Sequence, residues 1–566
     1  MSNKVFIIGL DGATFDLLIP WMEHGYLPNL AQIYREGCWG YLKSTVPPNT
    51  AVAWSSFISG KNPGNTGIFD FHYRTPGSYH IQFINARCIR GKSLWRILGD
   101  HGKRVDVVNM PVTYPAEEVN GFLISGLMTP DVNEKMCYPR DLLHELTAKF
   151  GNLSIKVYTM DYVRHQKFDQ LFEQLMKLME QRYAITTYLM DKRPWDFFCL
   201  VFTATDAVQH TFWRHMDTEH PLHDPGMGEK FGGYILRLFQ KADAMVGELM
   251  EKLDEDTYVI IMSDHGMGGN SNKAVYLNNW LAQEGFLAYY NHGWSPKAAN
   301  DTIGRGFLRR LILLSKKYVP RDIKNKIKKN RFVKSKGYTF YRFPNIDWKH
   351  TRAFSDDKTG TIWLNLKGKF PQGAIEPGEE AEALRDTIIE RARNFLDPDT
   401  QKPIFQMVLK KEDVYYGELL DQGPDIVLLQ GNIKYNYVHR LGSAAYHRHP
   451  LKSFAPDQLV NEPLPTANHR PYGIFMIKGP GVKKGHQIKN GEIIDLAPTV
   501  LYLMGVPIPD DMDGKILKDT IEDNYLLGEP IYTKAEMHGD AHGDQLLSAD
   551  EMAEIKEHLR GLGYLE

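Results

Sequence analysis

Three short apolar runs in this chain each lead into an aspartate. Lys4–Leu10 (KVFIIGL) runs into Asp11, Asp196–Thr203 into Thr205, Asp206 and His210, and Thr257–Met262 into Ser263-Asp264-His265-Gly266. The runs lack regular polar alternation, so each reads as a strand buried on both faces. That is the pattern of a parallel sheet clad in helices, and such a sheet gathers the carboxyl ends of its strands along one edge, where ligands bind. Acidic and imidazole side chains far apart in sequence are thereby directed to one place.

The same reading predicts further strands at Arg104–Asn109, Gly121–Ser125, Asp425–Leu429 and Tyr472–Ile477, and helical patterns near Thr14–Glu36, His165–Lys192, Lys230–Leu253, Glu379–Phe395 and Asp495–Met504. Strands alternating with helices define an α/β fold with a mostly parallel central sheet and helices on both faces. At ~150 residues per domain, 566 residues would allow about four domains. The three motifs are spread over half the chain, however, so one sheet must draw on distant segments.

Composition narrows the chemistry. Lys+Arg 67 against Asp+Glu 69 leaves a net charge of −2, so no global field draws the protein to nucleic acid. The four cysteines, Cys38, Cys88, Cys137 and Cys199, show no CxxC spacing, which argues against a disulfide scaffold and a thiolate metal cluster. With 21 histidines present, a bound metal would be held by imidazole and carboxylate. There is no signal-like N-terminus and no apolar stretch of membrane-spanning length, so the expectation is a cytoplasmic protein. One segment departs from the average: Arg305–Lys336 holds 13 Lys/Arg and a single acid, Asp322. It reads either as a solvated helical cap inserted in the core or as a basic amphipathic element that meets anionic lipid or substrate.

Each motif has a plain structural alternative. An aspartate after a strand can simply cap a helix, and an Asp-His pair can sit on the surface. Asp206 and His210 at i, i+4 share a helical face, so both can reach one cation. Thr50 follows Pro47-Pro48-Asn49 at the start of a helical pattern. Its hydroxyl either caps that helix or meets a phosphate at the positive helix end. Ser55, Ser56 and Ser59 read as packing or surface hydroxyls.

Taken in order, these residues resemble the alkaline phosphatase superfamily, and within it the type I phosphodiesterase/nucleotide pyrophosphatase family. The resemblance rests on Gly9-Leu10-Asp11-Gly12, on Thr50 ahead of Ser59-Gly60-Lys61-Asn62-Pro63-Gly64-Asn65-Thr66-Gly67-Ile68, on Ser263-Asp264-His265-Gly266-Met267, and on a late histidine. It spans roughly Lys4 to Leu517. It implies an alkaline-phosphatase-like three-layer sandwich and two divalent metal ions, Zn2+ first, with Mn2+ or Fe accepted by the same donors. One ion would use Asp206, His210 and the late histidine; the other would use Asp11, Asp264, His265 and the oxygen of Thr50. His469 is the preferred late histidine because it precedes a closing strand and the Asp495-Leu496-Ala497-Pro498-Thr499 helix. His439, His447 and His449 compete with it. Thr50 would carry a phosphothreonine intermediate.

One departure stands out. Where the nucleotide pyrophosphatases place a phosphate-binding asparagine, this chain has Phe71. The backbone N–H of Ala51, or Asn49 or His72, are candidates to take over that contact. Phe71, Trp54 and Trp213 either line an apolar leaving-group pocket or pack in the core.

The implied function is a two-metal phosphodiester hydrolase acting on nucleotide-type or other small phosphodiesters. Alternatives on the same scaffold are a phosphoglycerol- or phosphoethanolamine-type transferase, a phosphomonoesterase, and a degenerate member that only binds anions. The expected partners are a small-molecule phosphodiester, an anionic membrane surface through 305–336, and a second copy of the chain; no specific nucleic acid is expected. The expected organisation is a discontinuous catalytic domain, 1–294 and 348–525, a basic helical insertion at 295–347, and a helical tail at 526–566.

Overall fold

The computed structural model describes residues 3–290, 346–356, 358–430, 434–440, 449–454, 465–535 and 547–565. The basic stretch 305–336, almost all of the expected insertion 295–347, and His447 lie outside the described residues.

The strand Lys4–Leu10 is buried from Val5 onward, and its side chains divide between two cores. Phe6, Ile8 and Leu10 join one core; Val5 and Ile7 join the other. Phe197–Phe202 divides the same way, with Phe198, Leu200 and Phe202 on one face and Phe197, Cys199 and Val201 on the opposite one. This period of two with apolar residues at every position is what a sheet covered on both sides demands. Each such side chain contributes roughly 1.5–3 kcal/mol by leaving water.

Among the described residues, the central sheet has nine strands in the spatial order Gly491–Glu492, Cys38–Lys43, Tyr472–Lys478, Thr257–Met262, Lys4–Leu10, Phe197–Phe202, Val105–Met110, Gly121–Ser125 and Cys137–Tyr138. From Thr257–Met262 through Gly121–Ser125 the strands are parallel. Tyr472–Lys478 runs antiparallel to Thr257–Met262, so its amino end lies at the edge where the parallel strands finish. One face is covered by helices that include Pro28–Glu36, Phe168–Lys192, Ala204–Met216 and Tyr234–Met250. The other is covered mainly by Thr50–Ser59, Leu94–Asp100 and Leu496–Leu503. The result is the helix–sheet–helix sandwich the sequence implied.

Among the described residues, two four-stranded sheets and two two-stranded ones accompany it, and the four-stranded pair corrects some expectations. The run expected at Asp425–Leu429 forms the strand Ile426–Leu429, but in a separate antiparallel sheet with Ala353–Phe354, Thr361–Leu364 and Met407–Lys410. Helix Glu379–Arg393 packs into that sheet's own core. The helical pattern Thr14–Glu36 is two helices, Phe15–Glu23 and Pro28–Glu36, because Pro28 opens a new first turn. The second sheet is built on Gly266–Tyr276 (GMGGNSNKAVY), whose glycines and asparagines give little strand signal. It pairs with Asn436–Arg440, Leu451–Ser453 and Ala467–Arg470.

In the tail, helix Ala549–Leu562 places Ile555 and Leu559 in the same core as the central strands. All four cysteines are free thiols. Among the described residues, no helix is long and apolar enough to cross a membrane.

Candidate metal centre and active site

Each of three adjacent parallel strands delivers its next residues to the carboxyl edge of the sheet. Asp11 follows Lys4–Leu10 directly and does not cap the next helix; Thr14 does, accepting from the Asp16 N–H at 3.4 Å. Gly12 turns the chain at φ 67°, a conformation that favours glycine. A Cβ there would also stand 3.0 Å from Asp206 Oδ1. Asp206 and His210 lie one turn apart on Ala204–Met216, with His210 Nε2 3.3 Å from Asp206 Oδ1. Thr205 Oγ1 is 2.7 Å from the carbonyls of both Asp11 and Phe202, which ties the start of this helix to the two strand ends.

Asp264 and His265 follow Thr257–Met262, and the chain then enters Gly266–Tyr276. That strand pairs antiparallel with Ala467–Arg470, placing Met267 opposite His469. The His265 and His469 rings consequently stack, with centroids 3.6 Å apart and planes at 19°. Among the described residues, His469 is thus the late histidine brought to the cluster. His439 instead lies on Asn436–Arg440 against Gln430, and His449 is exposed.

Thr50 opens helix Thr50–Ser59, but Asn49 is its cap, accepting from the Ala51 N–H at 2.9 Å. The Thr50 hydroxyl is therefore released from capping and meets His265 Nε2 at 3.1 Å.

The imidazoles share one arrangement. Nδ1 of His210, His265 and His469 faces the backbone carbonyl of Ala467, Gly266 and Pro48 at 2.7, 3.0 and 2.9 Å. A carbonyl only accepts, so a neutral ring in this position carries its hydrogen on Nδ1 and presents the Nε2 lone pair to the site. Nε2 of His210 and Nε2 of His469 stand 3.0 Å apart. Three buried carboxylate oxygens, Asp11 Oδ1, Asp206 Oδ1 and Asp264 Oδ2, have no hydrogen-bond partner among the described residues. Leaving such acceptors unmatched costs about 1–3 kcal/mol each, more when charged. Ligand atoms of Asp206, His265 and His469 lie within 4.8 Å of one another, as do those of Asp11, Asp264 and His265. His210 joins the first group through Asp206 and His469, and His265 belongs to both groups, so the two donor sets adjoin.

The electrostatics of the three carboxyls suit a cation. Burial, then the charges of Asp264 and Asp206, holds the Asp11 carboxyl well above its ordinary range. Burial and Asp206 push Asp264 up to about 7. Asp206 shifts the other way: against the upward push of burial, His210 and His469 hold it well below the usual carboxylate range. Orphaned carboxylate oxygens, inward-facing imidazole nitrogens and no thiolate fit a pair of divalent ions such as zinc.

The expected substrate contacts fare less well. The Ala51 N–H already bonds to Asn49, so it is not the free donor expected. Trp54 is fully buried and donates its indole N–H to Asp11 Oδ2 at 3.3 Å. It packs beneath Gly9, where a Cβ would approach the indole to 2.7 Å, so it orients a carboxylate and lines no leaving-group pocket. His72 is held through both ring nitrogens, by Asp70 at 3.0 Å and Asp356 at 3.1 Å. Phe71 is buried, and the ring of Tyr564 lies against it at 4.8 Å. Trp213 is buried in the sheet's core.

Sequence reasoning misses Tyr564. Its hydroxyl donates to Asp206 Oδ2 at 3.1 Å, with the Thr50 side chain beside it. Burial, then the charges of Asp206 and Asp11, holds the phenol well above its ordinary pKa. The capping box Ser548-x-x-Glu551 announces the helix before it, but nothing local says where that helix docks. Also missed is a cavity of ≈ 50 Å³ that opens off the cluster beneath the tail, its walls mixed in polarity, with Arg182 in its lining. Arg182 is buried and bonded to Asn109, Gln181 and Ser154.

Sheet topology and the placement of the cluster together make this an alkaline-phosphatase-like protein. Within that class, the chain belongs to the type I phosphodiesterase/nucleotide pyrophosphatase family, whose profile matches residues 5–449. Membership places it among phosphoesterase-type hydrolases. The matched stretch contains Asp11, Thr50, Asp206, His210, Asp264 and His265; His469 lies beyond it and reaches the cluster through strand pairing.

Among solved structures, phosphonoacetate hydrolase from Sinorhizobium meliloti 1021, in complex with phosphonoacetate, is similar with a TM-score of 0.51 at 14% identity, over 89% of this chain and 96% of that one. An inactive form of murine ectonucleotide pyrophosphatase/phosphodiesterase 5, in complex with AMP, gives 0.48 at 13% identity, over 92% and 100%. No curated protein matches the chain.

Proposed function

We propose that the protein is a two-metal phosphodiesterase with Thr50 as nucleophile, acting on nucleotide-type or other small phosphodiesters. The observation that carries this reading is the Thr50 hydroxyl, 3.1 Å from the Nε2 of His265, the residue common to the two donor sets. Asp206, His210 and His469 would hold one ion; Asp11, Asp264, His265 and the Thr50 oxygen would hold the other. Bound there, the ions would acidify the hydroxyl and offset charge on the phosphoryl oxygens, with zinc favoured and manganese or iron accepted by the same donors.

The chain's own residues set up the rest. Thr50 stands at the first position of a helix, whose positive dipole end favours a phosphoryl group on its hydroxyl. The Trp54 indole holds Asp11, and the Gly12 N–H holds Asp264 Oδ1 at 3.3 Å. Thr50 Oγ1 loses its hydrogen to solvent as a proton and bonds to phosphorus, while the bond from phosphorus to the leaving alcohol breaks with its electrons going to the alcohol oxygen, which takes up a proton from solvent. The phosphoryl group, still carrying its other ester, remains on Thr50. Water then supplies an oxygen to phosphorus and a hydrogen to threonine, so one water is consumed and a monoester and an alcohol are released.

The test is a comparison of substrates. Zinc-loaded protein should cleave bis-p-nitrophenyl phosphate with a higher kcat/KM than p-nitrophenyl phosphate. Preference for the monoester, or turnover of neither, would overturn the reading.

A further inference from the structure

We propose that Tyr564 is a substrate-binding residue of this site: its phenolic hydroxyl, delivered by the C-terminal helix, donates a hydrogen bond to a phosphoryl oxygen of the group held at Thr50. The proposal rests on the phosphodiesterase reading above and adds a residue to it.

Position is the first argument. The hydroxyl lies 3.1 Å from Asp206 Oδ2, on the opposite carboxylate oxygen from the one that faces His210 and His469 at 3.3 and 3.5 Å. The Thr50 side chain lies beside it as well. A phenol has one hydrogen that rotates about the C–O bond, so the donor now given to Asp206 can turn to an oxygen of a group on Thr50.

Rigidity is the second. The Tyr564 ring rests on Phe71 at 4.8 Å and meets the His210 ring edge-on at 6.2 Å. The helix that carries it is built into the fold. Ser548 and Glu551 form a reciprocal capping box, and Glu551 also accepts from the Tyr114 hydroxyl at 2.7 Å and Lys135 at 3.0 Å. Thr159 donates to the Gly561 carbonyl at 2.9 Å, and Lys358 to that of Gly563 at 3.2 Å. Gly563, at φ 93°, ends the helix with a left-handed turn that leads into Tyr564. A segment held by core side chains, a cap and ion pairs is part of the site and not a removable plug. Donors fixed before reaction are the ones that stabilise developing charge without a reorganisation cost.

The experiment uses the full chain and Tyr564→Phe, which keeps the ring on Phe71 and removes only the hydroxyl. Steady-state hydrolysis of bis-p-nitrophenyl phosphate is measured alongside metal content. Calorimetric binding of inorganic phosphate is measured in Thr50→Ala, with and without Tyr564→Phe. The expected result is a fall in kcat/KM on the order of 10²-fold, phosphate binding weaker by about tenfold or more, and unchanged metal content. Unchanged kinetics and phosphate affinity would overturn the proposal. So would a rise in activity, which would make the tail an obstruction, or a loss of metal with phosphate affinity per loaded site intact, which would make Tyr564 a support for Asp206. If the parent protein itself neither cleaves the diester nor binds phosphate, the phosphodiesterase reading fails first and this proposal falls with it.

Discussion

His210 and His469 present their Nε2 atoms to each other at 3.0 Å, while backbone carbonyls of Ala467 and Pro48 sit behind the two rings at Nδ1. Neutral rings held this way repel unless a cation lies between them and Asp206. Metal ions that bind only the folded state stabilise it by mass action, about 2.7 kcal/mol per site at a hundredfold excess over Kd. Chelation should therefore lower Tm, zinc should restore it, and His210→Ala should lose one of two metal equivalents by elemental analysis. A Tm indifferent to chelation would rule out ion binding here.

Trp54 makes one polar contact that its size conceals, the 3.3 Å bond to Asp11 Oδ2. Trp54→Phe retains most of the packing and removes that donor. A hydrogen bond to a charged group contributes ~1.5–3 kcal/mol, so kcat should fall at least about tenfold. The protein should still fold and still bind metal, which circular dichroism and elemental analysis would check.

Gly12 separates two ligand-bearing segments. Gly12→Ala faces a backbone cost of ~1–2 kcal/mol at φ 67° and places a methyl group 3.0 Å from Asp206 Oδ1. Gly25→Ala is the control, since Gly25 has φ 78° but nothing within 4 Å of an added Cβ. Both variants should melt earlier, and only Gly12→Ala should weaken zinc binding in a calorimetric titration.

His558 anchors the tail helix, and burial pushes its imidazole down to about 3. In the unfolded chain the group titrates near ~6.5. The unfolded state therefore binds the extra proton first as pH falls, so stability is full above about 6.5 and declines toward about 3. Denaturant melts at pH 7 and pH 4.5 should show a loss that His558→Gln reduces. An equal loss in the variant would place the acid sensitivity elsewhere.

Much of this site is legible in the sequence, because strand ends are local signals and the sheet does the assembling. Asp11, Asp206 and Asp264 are read from apolar runs, and His210 from its spacing to Asp206. Thr50 is read from the turn before it, although Asn49 takes over the cap. What the sequence hides is tertiary. His469 meets His265 only because a glycine-rich stretch with little strand propensity pairs as a strand. Trp54 looks like core packing, and its one polar atom acquires meaning only when Asp11 lies above it. Tyr564 is invisible because a helix tail shows its cap but not its docking place. The Asp425–Leu429 run misleads for the same reason, since an apolar strand does not announce which sheet it joins.

In the proposed reaction Thr50 forms a covalent bond to phosphorus. Acid-quenched turnover of bis-p-nitrophenyl phosphate, followed by peptide mass spectrometry, tests it directly. The prediction is a p-nitrophenyl phosphoryl adduct on the peptide bearing Thr50, lost in Thr50→Ala together with a fall in kcat on the order of 10³-fold or more. Full turnover by Thr50→Ala with no adduct in the parent protein would contradict it.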